Sequence, residues 1–204
     1  MSFWKNRILP WFVHAALRGP ELQEVRSEYL GEAEGEVLEI GFGSGLNVPH
    51  LSGRVRKLYA VEPADAAWTI AEKIIRKAPF PVERTGRTAE AIPLPDDSVD
   101  EVISSFSLCT IPDVESALAE VRRVLRPGGT FRFLEHGRSA DSRISCWQDR
   151  LNPVQKCLAG GCHLNREPDR LLREAGFRIE RLDRFKVPGP RVIMSLYGGV
   201  AAAS

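Results

Sequence analysis

The stretch Glu39-Ile40-Gly41-Phe42-Gly43-Ser44-Gly45 sets a carboxylate just ahead of three glycines in alternate positions, and a second carboxylate, Glu62, stands before Pro63 further on. Glycines at this spacing let a backbone pass close to a ligand without Cβ collisions. A carboxylate beside such a loop suits an ammonium group and repels phosphate, while one at a strand tip can accept from both hydroxyls of a ribose. The spacing also departs from the dinucleotide pattern G-x-G-x-x-G, because Leu46 occupies the place of its last glycine. No G-x-x-x-x-G-K-[ST] phosphate cradle occurs either. The chemistry asked for is that of a nucleoside carrying a cationic amino-acid tail.

A second group of reactive side chains lies later in the chain. His136 follows an apolar run directly and is a candidate general base, since an imidazole titrates near neutral pH. Its other readings are a structural hydrogen bond or plain exposure. "GGCHLNR", Gly160 to Arg166, brings a cysteine, a histidine, an asparagine and an arginine together before a helical pattern. A zinc site built on Cys157, Cys162 and His163 has a C-x4-C pair, but two of its three candidates are adjacent and it lacks the complete set of four ligands that structural zinc favours unless Cys146 joins, so no metal is expected. A Cys162–His163 nucleophile pair is equally disfavoured, because neighbours on an extended chain point to opposite sides. The expectation is pocket architecture, with Asn165 or Arg166 fixing the next helix or meeting a ligand. Cys109 reads as a buried small hydrophobe. His14 and His50 show no placement that suggests chemistry.

The elements that must position these groups alternate strand and helix. Strands are expected at Val37–Ile40, at Leu58–Val61, around Val82, in "VDEVISSFSL" and in "TFRFLEH", with two closing strands in "RIERLDRF" and "RVIMSLYGGVA". "AAWTIAEKIIRKA" has helical spacing at Trp68, Ala71, Ile74 and Ile75, and "VESALAEVRRVL" is an amphipathic helix stopped by "RPGG". "DRLLREAG" reads as a helix ending at Gly176, where a glycine C-cap is expected. Strands interleaved with helices imply a parallel sheet covered on both faces, with ligands beyond the carboxyl ends of the strands.

The bulk properties fit one soluble α/β domain of 204 residues. Lys and Arg number 28 against 27 Asp and Glu, a balance that gives no reason to expect nucleic acid. Four cysteines without a secretory signal point to free thiols and a cytoplasmic location. No apolar run approaches the ~20 residues of a membrane span. The N-terminal segment around Phe3, Trp4, Trp11, Phe12 and Val13 reads as a helix packed over the domain. Its other reading is a mobile lid or a weak peripheral membrane contact through residues 3–17.

At "VLEIGFGSG", "AVEP", "TAEAIPLPDDSVDEVIS" and "EVRRVLRPGGTFRFLEH" the chain resembles the class I S-adenosylmethionine-dependent methyltransferases, in consistent order over residues 35 to 136. S-adenosylmethionine is a nucleoside with the required cationic tail. The resemblance implies a Rossmann-like seven-stranded α/β sheet, mostly parallel with the last strand antiparallel, and helices on both faces. It implies that Glu39, Gly41, Gly43 and Gly45 line the methionyl part of the cofactor, and that Glu62 binds the ribose with Pro63 beside the adenine. Thr88 and Ala89 fall at the adenine ring and Ser105 beside the sulfonium. Many relatives carry an aspartate where this chain has Thr88, so the contact to the adenine amino group is weaker here or comes from backbone.

"FLEHGRS", Trp147, "LNP", "GGCHLNR" and "LYGGVA" further resemble the alkyl-thiol branch of that superfamily, whose members methylate small apolar thiols. The anchored members of that branch start with a longer hydrophobic segment than this chain has, so membrane attachment is not carried over. The expectation is one domain over 1–204: a helical cap or lid at 1–30, a cofactor-binding core at 35–136, and an acceptor side with closing strands at 137–204. Its activity would be methyl transfer to a small-molecule acceptor, a thiol first, with S-adenosylhomocysteine as product. A quinone, a phenol or a phospholipid amine remains an alternative acceptor, and a non-catalytic cofactor-binding module is an alternative role.

Overall fold

The computed structural model describes residues 4–203; Phe3 of the N-terminal apolar segment lies outside them. The seven strands are β1 (Gly35–Ile40), β2 (Val55–Val61), β3 (Val82–Gly86), β4 (Val99–Ser105), β5 (Leu125–His136), β6 (Phe177–Lys186) and β7 (Ser195–Ala203). They form one sheet in the order β3-β2-β1-β4-β5-β7-β6. The β1–β2, β2–β3, β1–β4 and β4–β5 pairs are parallel. β7 runs antiparallel to both β5 and β6, so it alone is reversed. The chain order turns back between β1 and β4, and that switch point opens a crevice at the carboxyl ends of the strands.

Six α-helices complete the fold: α1 (Leu9–Leu17), α2 (Pro20–Leu30), α3 (Asp65–Ile75), α4 (Val114–Val124), α5 (Ser142–Leu158) and α6 (Pro168–Glu174). Alternation along β1 sorts its side chains between two cores. Leu38 and Ile40 pack with Leu118 and Val121 of α4 and Leu172 of α6. Val37 packs on the other face with Leu58, Ile103, Leu30 of α2 and Ala71 of α3. The carboxylate of Asp113 caps α4 by accepting from the Ser116 amide at 3.1 Å. Gly176 takes a left-handed φ of 82° just beyond α6.

The 17-residue α5 has no clear periodic signature, and Pro153 lies inside it. Polar contacts hold it instead. The amide nitrogen of the fully buried Gln148 donates to the carbonyls of Gly137 and Val192, and its oxygen accepts from the Ser139 amide. Asn152 accepts from the Leu164 amide, tying α5 to the segment before α6. α1 has no buried residue, and Trp11 and Phe12 are 57% and 61% exposed. Among the described residues no helix is long and apolar enough to cross a membrane.

Phe131 is fully buried in the centre of β5 and packs against Phe133 and Phe177 at ring-centroid distances of 6.3 and 5.4 Å. Phe131→Ala should lower stability by about 3–5 kcal/mol through lost burial and the cavity left behind, as read from urea unfolding.

Candidate functional site

The cleft at the switch point is lined by Val13 and Leu17 of α1, Arg26 of α2, Gly41 to Ser44, Leu46, Asn47, and Ser105 to Ser107. β1 delivers the glycine loop and β4 delivers Ser105 and Phe106, so the sheet topology alone brings these two segments face to face. The amides of Gly41 and Phe42 both donate to the Val61 carbonyl, at 3.0 and 3.1 Å, which turns the chain sharply off β1. Gly41 has a φ of 71°, and a Cβ there would collide with Ser107 Oγ. Gly43 also has a positive φ, 59°, yet a Cβ on it would meet nothing nearer than 3.9 Å. The loop is therefore tight against β4 at its first glycine and open at its second.

Glu39 is 1% exposed at the end of β1. Its Oε1 accepts from Asn47 Nδ2 at 2.6 Å, while Oε2 has no hydrogen-bond partner. Asn47 also donates to Ser105 Oγ at 2.7 Å and accepts from Arg26 Nε at 2.8 Å. Arg26, equally buried, is further held by the carbonyls of Leu17 and Leu22, and its guanidinium lies 5.6 Å from the Phe106 ring centroid. Burial pushes the Glu39 carboxyl up to about 8 against the opposing pull of Asn47 and Arg26. Burial likewise lowers Arg26 to about 10.

Glu62 stands at the tip of β2 with both oxygens engaged by backbone. Oε2 accepts from the Gly43 amide and Oε1 from the Ala64 amide, each at 2.7 Å. These bonds aim the carboxylate at the loop. Arg84 secures the turn by donating to the Glu62 carbonyl and pairing with Asp65. Pro63 is exposed beside it. The Thr88 hydroxyl donates to Glu90, whose other oxygen accepts from the Asp113 amide at 3.4 Å. Ala89 is buried in the core, leaving its backbone as the part that can meet a ligand.

His136 and the "GGCHLNR" segment lie behind this cleft. His136 is not among the cleft-lining residues. It pairs in register with Leu196 of β7, in the half of the sheet beyond the switch point, and is 5% exposed. Its Nε2 lies 3.0 Å from Cys162 Sγ, and Nδ1 has no partner. Cys109 and burial raise the Cys162 thiol above its ordinary range, which leaves a neutral thiol beside the ring. Glu135, fully buried, organises the loop after β4: its Oε1 accepts from Ser104 Oγ and from the amides of Ser107 and Leu108. Arg166 takes the carbonyls of Leu108 and Ile111 in the same loop. Asn165 instead pairs with Asp149.

His14, to which the sequence assigned no chemistry, is not itself among the cleft-lining residues but follows Val13 on α1 and bonds to one of them. Its Nδ1 is 2.8 Å from Ser44 Oγ of the glycine loop. Burial, helped by Arg18, holds its pKa below the ordinary value. Arg26 and Asn47 were equally hidden from the sequence, although a strand-end Glu followed by a polar Asn within the next turn is a usable signal. His50 bonds to Ser27 and Gln23 away from the cleft.

Residues 38–133 match the family described as "Methyltransferase domain". The human thiol S-methyltransferase TMT1A is 40% identical over 94 residues, 46% of this chain and 38% of that protein. The ubiquinone/menaquinone biosynthesis C-methyltransferase UbiE of Methylobacterium nodulans is 37% identical over 105 residues, 50% of this chain and 38% of that protein. The matches thus span about 38% of the length of these curated relatives. In fold, the methyltransferase solved with the Haloferax volcanii Trm112 activator superposes with a TM-score of 0.73 at 17% identity, covering 98% of this chain and 96% of that one. The matched segment, residues 38–133, is thus similar to a methyltransferase domain, whose cofactor is S-adenosylmethionine. The cleft fits that cofactor: Glu39 keeps one buried oxygen without a partner, and the space a side chain would fill at Gly43 is empty.

Among the described residues, Asn47 is the only side chain that touches Glu39, Ser105 and Arg26 through hydrogen bonds at once. Asn47→Ala should cost about 1–3 kcal/mol of stability, because it strips hydrogen-bond partners from the buried Glu39 carboxyl and the buried Arg26 guanidinium. Guanidinium unfolding of the cofactor-free protein would measure it.

Proposed function

We propose that the protein transfers the methyl group of S-adenosylmethionine to a small apolar thiol, releasing S-adenosylhomocysteine. The observation that carries this reading is the make-up of the cleft beneath α1: apolar walls from Val13, Leu17, Leu46 and Phe106, with the His14 imidazole bonded to the lining residue Ser44. When bound, the cofactor supplies a methyl group on a positively charged sulfur, ready for in-line displacement.

The residues of this chain bind and orient. Glu39 holds the ammonium through its unpartnered oxygen, and Arg26 lies close enough in the same cleft to take the carboxylate. Glu62 keeps lone pairs for the ribose hydroxyls, Pro63 flanks the adenine, and the backbone at Thr88 and Ala89 reads its edge. Gly41, Gly43 and Gly45 let the loop lie against the methionyl chain. Ser105 and Phe106 flank the sulfonium, and the α1 roof excludes water. His14 bonds to Ser44 through Nδ1, and in the tautomer that donates there Nε2 is left to accept the acceptor's proton. A neutral imidazole can take the proton as sulfur attacks, and the greater nucleophilicity of sulfur, not a greater acidity, favours a thiol over a phenol oxygen. His136, buried against Cys162, has no part in this step. The protein acts in the cytoplasm, and exposed Trp11 and Phe12 allow peripheral contact with a membrane surface where apolar thiols partition.

Glu39 gives the cofactor step a pH signature. Its carboxyl, pushed up to about 8, holds a proton in the free protein at pH 7, whereas the ammonium favours the carboxylate. Binding at pH 7 should release a proton, and affinity should rise with pH from about 6 toward 8 and fall again above it as the ligand's ammonium loses its own proton. Calorimetry in two buffers of different ionisation enthalpy measures the release, and Glu39→Gln should remove it.

Labelled-methyl transfer to a short alkyl thiol, with none to phenols or quinones, is the expected activity. The acidic limb of kcat should lie below pH 6.5 and disappear in His14→Gln, with a loss of about 10²-fold or more. Transfer to a quinone ring carbon in place of a thiol would overturn the reading of the acceptor, and cofactor binding without transfer to any of them would mark a binding module.

A further inference from the structure

Cys109, His136 and Cys162 come from three distant segments: the loop after β4, the last residue of β5, and the connection between α5 and α6. All three are buried, and their ligand atoms lie within 4.8 Å of one another. Cys162 Sγ is 3.0 Å from His136 Nε2 and 3.6 Å from Cys109 Sγ. Nothing in the cofactor cleft requires this cluster, and methyl transfer needs no enzyme thiol.

We propose that Cys109, His136 and Cys162 form a binding site for a zinc-class divalent cation, with two thiolates and one imidazole as ligands. Two sulfurs bound to tetrahedral zinc at about 2.3 Å stand about 3.8 Å apart, and a sulfur and an imidazole nitrogen about 3.6 Å. The sulfur pair already has this separation, and the nitrogen needs to move by roughly half an ångström. Two thiolates neutralise a divalent charge, which removes the main cost of burying the ion. Binding releases the two thiol protons to solvent as the two metal–sulfur bonds form.

The surroundings hold the ligands in place. The Cys109 carbonyl accepts from the His163 amide at 2.8 Å and lies 3.1 Å from His163 Nδ1, while Glu135 and Arg166 grip the residues on either side of Cys109. The guanidinium of Arg166 favours the thiolates from outside the cluster. Cys146 and Cys157 are exposed, and no fourth Asp, Glu, His or Cys joins the group among the described residues. Three protein ligands with an open fourth position form the pattern of a zinc that takes a water or a small ligand.

The test uses the full chain, stripped of metal by a chelator and kept free of oxygen, titrated with Co²⁺ as the probe. One equivalent should produce thiolate-to-cobalt charge-transfer absorption and tetrahedral visible bands, and Zn²⁺ should displace it. The double variant Cys146→Ser/Cys157→Ser should keep the signal; Cys109→Ser and Cys162→Ser should each lose it. A native mass spectrum with Zn²⁺ should show one added zinc, and zinc should raise the melting midpoint of the wild type and not of Cys162→Ser. No charge-transfer band in the wild type would overturn the proposal. So would a band that survives in Cys162→Ser, or a mass lower by two hydrogens and without zinc, which would mark a Cys109–Cys162 disulfide instead. None of these readouts depends on the identity of the methyl acceptor.

Discussion

A carboxylate buried at the end of a central strand is the constraint around which this molecule is arranged. Glu39 is sealed from water, and a lone ionised carboxylate in that position would be untenable. The chain answers with a relay and not with a direct ion pair: Asn47 offers its amide to Glu39 and its carbonyl to the guanidinium of Arg26. Placing an arginine there requires α2 to cross behind the glycine loop, and α2 in turn leads α1 over the mouth of the cleft. The unanswered oxygen of Glu39 is the remaining demand, and only a donor from outside the relay would meet it.

A second constraint shapes the opposite wall. The loop leaving β4 begins at Phe106 with a φ of 53°, a conformation that a bulky residue adopts only when its neighbours fix it. Glu135 collects amides of this loop and Arg166 its carbonyls, so a buried carboxyl and a half-buried guanidinium hold one short segment from both sides. Arg166 is the far end of "GGCHLNR". The segment thus acts on the cleft from behind, by setting where the β4 loop runs, and its cysteine faces away toward His136.

The parts of this arrangement that were legible in the sequence are those written in short-range patterns. Alternating apolar runs marked the strands, and the glycine spacing with Glu39 and Glu62 marked the turn off β1 and the tip of β2 that meets it, because each needs only neighbours along the chain. α5 was not legible: Pro153 interrupts its pattern, and it is held by Gln148 and Asn152 hydrogen bonds that no periodicity reports. His14 was invisible for a different reason, since nothing in α1 states that it meets Ser44. His136 was expected in the crevice because it follows a strand, but its pairing with β7 carries it past the switch point. The convergence of Cys109, His136 and Cys162 depends on three segments being folded at once.

The roof has an energetic character of its own. α1 buries no side chain, and its ties to the body are few: His14 to Ser44, the Leu17 carbonyl to Arg26, and, just before it, the Trp4 indole to the Leu158 carbonyl. An element with so little buried surface opens at a small fraction of the global unfolding free energy. Its amides therefore exchange with solvent through local opening while the sheet beneath stays closed. Every acceptor that enters must then bear the cost of reclosing the roof, so apparent affinity on that side reports the closed population as well as the contacts made within it.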